Sequence, residues 1–302
     1  MNFFLYKILE NQLFKKKGKN IKICICTLGK KENRYIKEFV QYYKNYGVER
    51  IFLYDNNDIN GERLEEPINE YINEGFIKLN NRRGRIRDQL NILNHCYINN
   101  YNNYDWLIFY DIDEYIYLKN YSNIKDFLNE KRFNECQTIY LNWVMHTDNN
   151  LIYYENKSLH KRFPILEPNA RKNNKNIFVP CKSILKGHIP NIKIICMHRL
   201  NNRLKSCNGF GVKPNLKGYL MMADFSFYYI DHFFFKSLEE FIDKLNRGGA
   251  NTYNNTNLKY IKLDRFFKMN QININKINNI EKKCRINMTR YKKMYLKKSI
   301  NL

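Results

Sequence analysis

The segment DWLIFYDIDEYIY, residues 105–117, joins a strongly apolar run to a sudden group of acids. Its first half, residues 106–110, is uninterrupted apolar and aromatic sequence, which is typical of a strand buried on both faces. Three acids follow at once: Asp111, Asp113 and Glu114. Residues i and i+2 of an extended segment point the same way. Asp111 and Asp113 can therefore share one hard cation, and Mg²⁺ or Mn²⁺ prefers such oxygen ligands. A solvated acidic loop is the alternative interpretation.

The composition predicts a folded domain with an anionic partner. A chain of 302 residues suits one large domain, or one domain with a small appendage. Hydrophobic residues make up 44% and aromatic residues 15%, which excludes a disordered chain. The net charge of +23 favours nucleic acid, an acidic membrane surface or a phosphorylated substrate. The abundance of Asn, Ile, Lys and Tyr also fits an AT-rich coding bias, which would raise the lysine content by itself.

The N-terminal residues 1–20 form a basic amphipathic segment. Its apolar residues precede its lysines, which is the wrong order for a secretory signal, and no stretch of the chain is long enough for a transmembrane span. The segment suits either a contact with an anionic membrane surface or a short helix packed on the domain. We therefore expect a cytoplasmic protein, with or without peripheral membrane contact.

The eight cysteines include no C-x-x-C pair and indicate no disulfide framework. Reduced thiols in a cytosol-like compartment are the simpler expectation. A zinc site is the alternative, although the spacings fit no common finger. Its candidate ligands are Cys181, His188, Cys196, His198 and Cys207.

The first half of the chain alternates strands with helices. Strands are predicted at residues 21–27, 48–55 and 76–79, before the strand at 106–110, with helical periodicity in the segments between them. This order implies a parallel sheet with right-handed crossovers. It places Thr27, Asp55 and Asp111 along one sheet edge, where such folds bind nucleotides. No glycine-rich phosphate loop is present.

The second half is less regular. Residues 119–249 would form the acceptor-side half of the domain, after a nucleotide-binding half at 21–118. Within it, a strand at 225–230 precedes a capping box at Ser237 and Glu240 that begins an amphipathic helix ending at Arg247. Residues 250–302 are basic and predict a helical C-terminal extension.

Several motifs in order resemble glycosyltransferase family 92 and its relatives near family 2. They are YDNND, RIRDQ, WLIFYDIDEY, LNW and IDHFFFKSLEEFIDKLNRGG. The resemblance implies an α/β protein of the GT-A (Rossmann-like) class, with a mostly parallel sheet flanked by helices. It implies metal-dependent transfer of a sugar, with inversion, from a nucleotide diphosphate that is UDP in the first instance. The acceptor would be a hydroxyl on a glycan, glycoprotein or glycolipid.

The same resemblance assigns residues to the expected site. Mn²⁺ or Mg²⁺ would be held by Asp111, Asp113 and His232, with Glu114 supporting the loop. The donor would contact Thr27, Asp55, Arg85, Gln89, Asp111 and Lys236. Three of these have structural alternatives. His232 also suits a buried structural histidine, Asp55 also suits a turn, and Lys236 also suits a solvated lysine at a helix start.

Asp148 is the candidate general base, because it follows the strand and tryptophan on the acceptor side. Glu167 and Asp231 are its rivals, and a loop residue without a catalytic role is the structural alternative. Trp143 suits either an acceptor-sugar platform or a core position.

Two other functions compete with sugar transfer. Basic patches with interleaved aromatics bind single-stranded nucleic acid, but no nucleic-acid-binding signature is present and no specific nucleic acid is expected. A sugar nucleotidyltransferase would need a glycine-rich loop after the first strand, where this chain has TLGKK.

Overall fold

The computed structural model describes residues 20–172, 174, 176–196, 198, 204–247, 256–271 and 273–300. The predicted amphipathic segment at 1–20 lies, apart from residue 20, outside the described residues. No helix in the described part of the chain is both long enough and apolar enough to cross a bilayer.

The strands are β1 (Ile23–Gly29), β2 (Arg50–Asp55), β3 (Ile77–Asn81), β4 (Trp106–Ile108), β5 (Glu114–Leu118), β6 (Thr138–Met145), β7 (Phe178–Lys186), β8 (Ser206–Asn208), β9 (Leu216–Lys217), β10 (Leu220–Met222) and β11 (Tyr228–His232). The α-helices are α1 (Asn33–Asn45), α2 (Asn69–Asn73), α3 (Gln89–Asn100), α4 (Ile124–Leu128), α5 (Leu159–Arg162), α6 (Pro168–Arg171), α7 (Leu238–Arg247), α8 (Thr256–Met269), α9 (Ile274–Cys284) and α10 (Thr289–Ile300). Short 3₁₀ turns lie at Glu66–Ile68 and Lys131–Phe133.

The sheet runs in the order β3-β2-β1-β4-β7-β6-β11-β5. Its first four strands are mutually parallel, as the alternation of strands and helices predicts. The second half is mixed, because β7 is antiparallel to both β4 and β6, and β5 is antiparallel to β11. The predicted class, an α/β sheet flanked by helices with a C-terminal helical extension, is confirmed.

Successive residues of β1 belong to different cores on the two faces of the sheet. Ile23 and Ile25 pack in the cluster that contains helix α1, whereas Cys24 and Cys26 pack in the cluster that contains α3. A strand with this two-residue period and apolar residues on both sides is buried on both faces. The uninterrupted apolar run at residues 106–110 predicts the same burial on both faces for the strand in that segment.

Helices α7 to α10 form a separate apolar cluster. Ser237 and Glu240 form the predicted capping box, since Ser237 N–H donates to Glu240 Oε2 at 3.0 Å and Glu240 N–H donates to Ser237 Oγ at 3.4 Å. Phe241 of α7 stacks on Phe266 of α8 with ring centroids 4.3 Å apart. The C-terminal helices therefore share a core with α7, which carries two side chains of the site described below.

The expectation of reduced thiols is wrong for four cysteines. Cys26 on β1 forms a disulfide with Cys96 on α3, and Cys136 forms one with Cys207. The partners are 70 and 71 residues apart, so only tertiary packing brings them together. Disulfides persist in oxidising compartments, and the argument from thiols to a cytosol-like compartment therefore does not hold.

Candidate active site at the carboxyl edge of the sheet

Asp111, Asp113 and Glu114 occupy the turn between β4 and β5, which we call the acid corner. Glu114 closes this turn, because its Oε2 accepts from Asp111 N–H at 3.0 Å and its own N–H donates to Asp111 O at 3.0 Å. Asp113 and Glu114 are buried, whereas 34% of the Asp111 side chain is exposed. Asp111 is therefore the carboxylate of the acid corner that solvent reaches.

A lysine from the middle of the sheet compensates two of these acids. Lys182 on β7 is fully buried, and its Nζ lies 2.8 Å from Asp111 Oδ2 and 3.1 Å from Glu114 Oε2. Burial by itself lowers the pKa of Lys182, but the two carboxylates outweigh it and raise the pKa. Burial likewise raises the pKa of Asp111, and the charge of Lys182 outweighs it and holds that pKa below its usual value. For Glu114, burial dominates and raises the pKa.

Asp113 faces a second group of nitrogen atoms. Its Oδ2 lies 2.8 Å from Lys244 Nζ and 3.5 Å from Lys236 Nζ, and its Oδ1 lies 3.5 Å from His232 Nε2. Burial raises the pKa of Asp113, but these neighbours hold it well below its usual range. Burial lowers the pKa of His232 to about 4, so its imidazole is neutral at pH 7. Its buried Nδ1 has no hydrogen-bond partner in the described part of the protein.

The acid corner fits a divalent cation in part. Asp111 and Asp113 supply ionised oxygen ligands, and Mg²⁺ usually takes one or two carboxylates and completes its shell with water and phosphate oxygens. The predicted three-residue set with His232 is not assembled: among the described residues, no group of three or more His, Cys, Asp or Glu side chains could hold a metal ion. The alternative zinc cluster is likewise not formed there, and its Cys207 is in a disulfide. A cation at Asp111 and Asp113 would share these carboxylates with Lys182 and Lys244.

Asp55 does not present a free carboxylate to a nucleoside. Its Oδ1 accepts from Asn57 N–H at 2.9 Å, and its Oδ2 accepts from Arg83 Nη1 at 2.7 Å. Arg83 also donates to the carbonyls of Asp58, Ile59, Gly61 and Glu62. The alternative role of Asp55 as a turn residue matches this geometry, because its carboxylate organises the loop after β2.

The other predicted donor residues lie along the same edge. Thr27 is buried near the end of β1, and its Oγ1 has no hydrogen-bond partner among the described residues. Arg85 is exposed in the loop before α3, and Gln89 begins that helix. The predicted contact of these three side chains with the donor stays a prediction.

A first cavity, which we call the basic pocket, has a volume of about 310 Å³. It lies between the start of α1 and helix α7, and its walls include Lys31, Tyr35, Lys236, Lys244 and Arg247. The ammonium of Lys236 lies 4.1 Å from the ring centroid of Tyr35, which fixes its position. Since Lys236 and Lys244 both contact Asp113, the pocket adjoins the acid corner.

A second cavity, the Trp143 pocket, has a volume of about 300 Å³. Trp143, Glu167, Asn169, Arg265 and Lys268 are among its lining residues. The Trp143 ring lies 4.2 Å from the ring of His232, which in turn contacts Asp113. The Trp143 pocket is thus connected to the acid corner through one pair of rings.

The three candidate bases have different environments. Asp148 is buried in an ion pair with the fully buried Lys276 of α9 and also accepts from Asn150 N–H at 2.9 Å. It lines neither described pocket, so its position does not support the prediction that it is the general base. Asp231 is bound by His146 at 2.7 Å and by His160 at 3.4 Å in a buried network.

Glu167 alone among them lines the Trp143 pocket. Its Oε1 accepts from Met145 N–H at 3.0 Å, which fixes the carboxyl group. Burial raises the pKa of Glu167, although Met145 N–H and the charge of Arg265 act in the opposite direction. A carboxylate with a raised pKa in a cavity has the properties of a general base.

Lys182, Lys244 and Arg265 were not predicted from the sequence. Lys182 lies in a segment that showed no strand period, and its charge gave no sign that it would be buried. Lys244 does lie in the predicted amphipathic helix, four residues after Glu240, which is also buried. This four-residue spacing from Glu240 was the one sequence signal that indicated an inward position for Lys244.

Known relatives match this chain over part of their length. A glycosyltransferase family 92 protein of Ricinus communis is 31% identical over 104 residues, which are 34% of this chain and 18% of the relative. One of Arabidopsis thaliana is 30% identical over 103 residues, again 34% of this chain and 18% of the relative. The chain therefore spans less than a fifth of the length of these relatives.

Two solved structures of S. aureus TarS, residues 1–349, show a weaker likeness. One has a TM-score of 0.36 at 12% identity, covering 82% of this chain and 71% of TarS. The other, in complex with UDP, has a TM-score of 0.32 at 15% identity, covering 45% of this chain and 38% of TarS. These scores are too low to support a conclusion about this chain.

The family model for glycosyltransferase family 92 matches residues 19–288, which include the acid corner and both pockets. This chain belongs to glycosyltransferase family 92.

Proposed function

We propose that this protein transfers a sugar from a nucleotide diphosphate, UDP in the first instance, to an acceptor hydroxyl with inversion. One observation carries the proposal: the acid corner lies at the carboxyl edge of the sheet, adjoins the basic pocket and is linked through His232 to Trp143 of the second pocket, in a chain of glycosyltransferase family 92. Ligands collect at that edge in open α/β sheets. A Mn²⁺ or Mg²⁺ ion held by Asp111 and Asp113 would neutralise charge on the diphosphate.

The basic pocket suits the diphosphate of the donor. Lys236 and Lys244 line it and are buried or nearly so, which strengthens their attraction for an anion. As the bond between the sugar carbon and the diphosphate oxygen breaks, negative charge grows on that oxygen. The two ammonium groups would stabilise this charge, and both contact Asp113 at the edge of the pocket.

The Trp143 pocket suits the acceptor. The indole offers an apolar face for a sugar ring, and Glu167 would take the proton of the acceptor hydroxyl. The new bond forms between the acceptor oxygen and the sugar carbon as the bond to the diphosphate breaks. Glu167 then carries the proton, and the nucleoside diphosphate leaves with the electron pair of the broken bond.

Donor binding and metal use can be tested by thermal shift and by nucleotide-sugar hydrolysis. UDP-sugars with Mn²⁺ should raise the melting temperature, because a ligand at 100 times its Kd stabilises by about 2.7 kcal/mol. Asp111→Asn and Asp113→Asn should each abolish the metal-dependent part of turnover. Full metal-dependent turnover in both variants would show that the metal assignment is wrong.

The base is tested by comparing two acids. Glu167→Gln should lower kcat by about 10²- to 10⁴-fold, the usual contribution of a general base. Asp148→Asn is the matched control, because it lowers stability but leaves kcat per folded molecule unchanged. The opposite pattern, with loss only in Asp148→Asn, would restore Asp148 as the base and exclude Glu167.

A further inference from the structure

Arg265 of α8 has an unusual environment for a half-buried cation. Its guanidinium lines the Trp143 pocket and packs 5.5 Å from the ring centroid of Phe234. It forms no hydrogen bond and no ion pair with any residue in the described part of the chain. Burial lowers the pKa of Arg265 and outweighs the charge of Glu167, which raises that pKa, so this carboxylate compensates the cation only in part.

Two other arginines that are withdrawn from solvent are each matched by a carboxylate. Arg83 binds Asp55 at 2.7 Å, and Arg162 binds Glu240 at 2.7 Å. A cation held away from water without an anion is costly. At Arg83 and Arg162 the paired carboxylate offsets that cost. Arg265 has no such ion pair among the described residues and lies at the wall of a cavity, where an anion from outside can reach it.

The carboxyl group of Glu167, the acid whose charge acts on Arg265, is hydrogen-bonded to Met145. Its Oε1 accepts from Met145 N–H at 3.0 Å, its backbone N–H donates to Met145 O at 2.8 Å, and it forms no ion pair with Arg265. Lys268, three residues after Arg265, also lines the pocket, so a second cation lies on the same helical face. Two cations therefore face the Trp143 pocket against the single carboxylate of Glu167 among its described lining residues.

We infer that the Trp143 pocket binds a saccharide bearing an anionic group, a carboxylate or a phosphate, and that Arg265 pairs with that group. The inference rests on the proposed function only in calling this saccharide the acceptor. The planar guanidinium presents two parallel N–H donors that match a carboxylate or a phosphate. Trp143 supplies the apolar face for the ring, and its buried Nε1–H donates to no described residue. A volume of about 300 Å³ suits a ligand of this size.

The test measures binding of three matched sugars to the full chain by calorimetry, without donor. Glucose is neutral, glucuronic acid carries a carboxylate and glucose 6-phosphate carries a phosphate. At least one acidic sugar should bind tenfold or more tighter than glucose, and the tighter of the two identifies the anion. Arg265→Gln should bring its affinity within about threefold of that for glucose. Arg265→Lys, which keeps the charge but not the paired donors, should fall between.

Arg290→Gln is the matched control, since Arg290 lies on the exposed face of α10 and loses the same charge. It should keep the preference. The melting temperature of Arg265→Gln should change little, because the lost contacts with the Phe234 ring and the charge of Glu167 are offset by removal of a half-buried cation that forms no ion pair with any described residue. A fall of several degrees would assign Arg265 a structural role and overturn the inference. Equal binding of the three sugars, an unchanged preference in Arg265→Gln, or equally tight binding of inorganic phosphate would also overturn it.

A separate measurement keeps this inference apart from the proposed function. Binding of UDP with Mn²⁺ should be the same in the wild type and in Arg265→Gln. Absence of donor binding in the wild type would contradict sugar transfer while leaving the preference for acidic sugars intact. Equal binding of the sugars, with normal donor binding, would contradict only the anionic acceptor.

Discussion

The Arg162→Met variant should destabilise this protein strongly. Arg162 donates to Glu240 through Nη1 at 2.7 Å and through Nη2 at 3.0 Å, and each side chain is only 1% exposed. The same carboxylate accepts from Tyr35 OH at 2.7 Å and from Ser237 N–H at 3.0 Å. Removal of the guanidinium leaves a buried charge with neutral donors only. Glu240 anchors the start of α7, the helix that brings Lys244 to Asp113.

The size of the effect follows from burial. Loss of one partner of a buried, hydrogen-bonded ion pair costs about 3–5 kcal/mol. At about 2–4 °C per kcal/mol for a large domain, the melting temperature should fall by roughly 6–20 °C. Urea unfolding followed by circular dichroism measures the free energy directly. Arg290→Met is the control, because its pair with Asp264 is 67% and 44% exposed and should contribute less than about 1 kcal/mol.

The effect should depend on pH in a defined direction. Burial raises the pKa of Glu240, but the hydrogen bonds from Arg162 and Ser237 outweigh it and lower the pKa in the folded state. Ionised Glu240 therefore stabilises the fold above the unfolded pKa of about 4.3, and this stability is lost as the pH falls through the folded pKa. The difference between the wild type and Arg162→Met should shrink on acidification. A difference below about 1 kcal/mol at pH 7, or one that grows towards pH 3, would refute the reasoning.

Three further variants test other contacts of the fold. Lys182→Met removes the cation of the acid corner and should cost about 3 kcal/mol or more in unfolding free energy. It should also abolish nucleotide-sugar turnover, so a stable and active variant would contradict its role. Ser237→Ala removes the acceptor for Glu240 N–H and should cost about 1 kcal/mol, measured by urea unfolding; a change below about 0.3 kcal/mol would contradict the capping box. Gly187→Ala places a Cβ 1.7 Å from Tyr104 O, and overpacking against backbone should cost roughly 3 kcal/mol or more, so an unchanged melting temperature would contradict the close approach.

Gly61→Ala is the matched control for Gly187→Ala. At Gly61 the nearest backbone atom to an added Cβ is 3.3 Å away, which a small shift can relieve. Gly61→Ala should therefore change the melting temperature far less than Gly187→Ala.

The parallel half of the sheet could be predicted from the sequence because the patterns that indicate its strands are local. The apolar runs at 21–27 and 48–55 correspond to β1 and β2, and the run at 106–110 to the shorter β4. Ser237 and Glu240 are three residues apart, so their capping box is a pattern within one helical turn. The place of Asp111 and Asp113 just beyond a buried strand also follows from adjacent residues. Each of these features depends on the period of a single element, which a short window of sequence contains.

Tertiary structure alone decided the partners of the charged groups. Lys182 meets Asp111 because β7 inserts between β4 and β6, and its residues lie far along the chain from all the acids. Arg265 enters the Trp143 pocket because α8 folds back over the domain. A charged side chain reveals its type in the sequence but not its burial or its partner. Those depend on which distant elements exclude water around it. The sequence therefore predicted Lys236 only through the family resemblance and did not indicate Lys182 or Lys244.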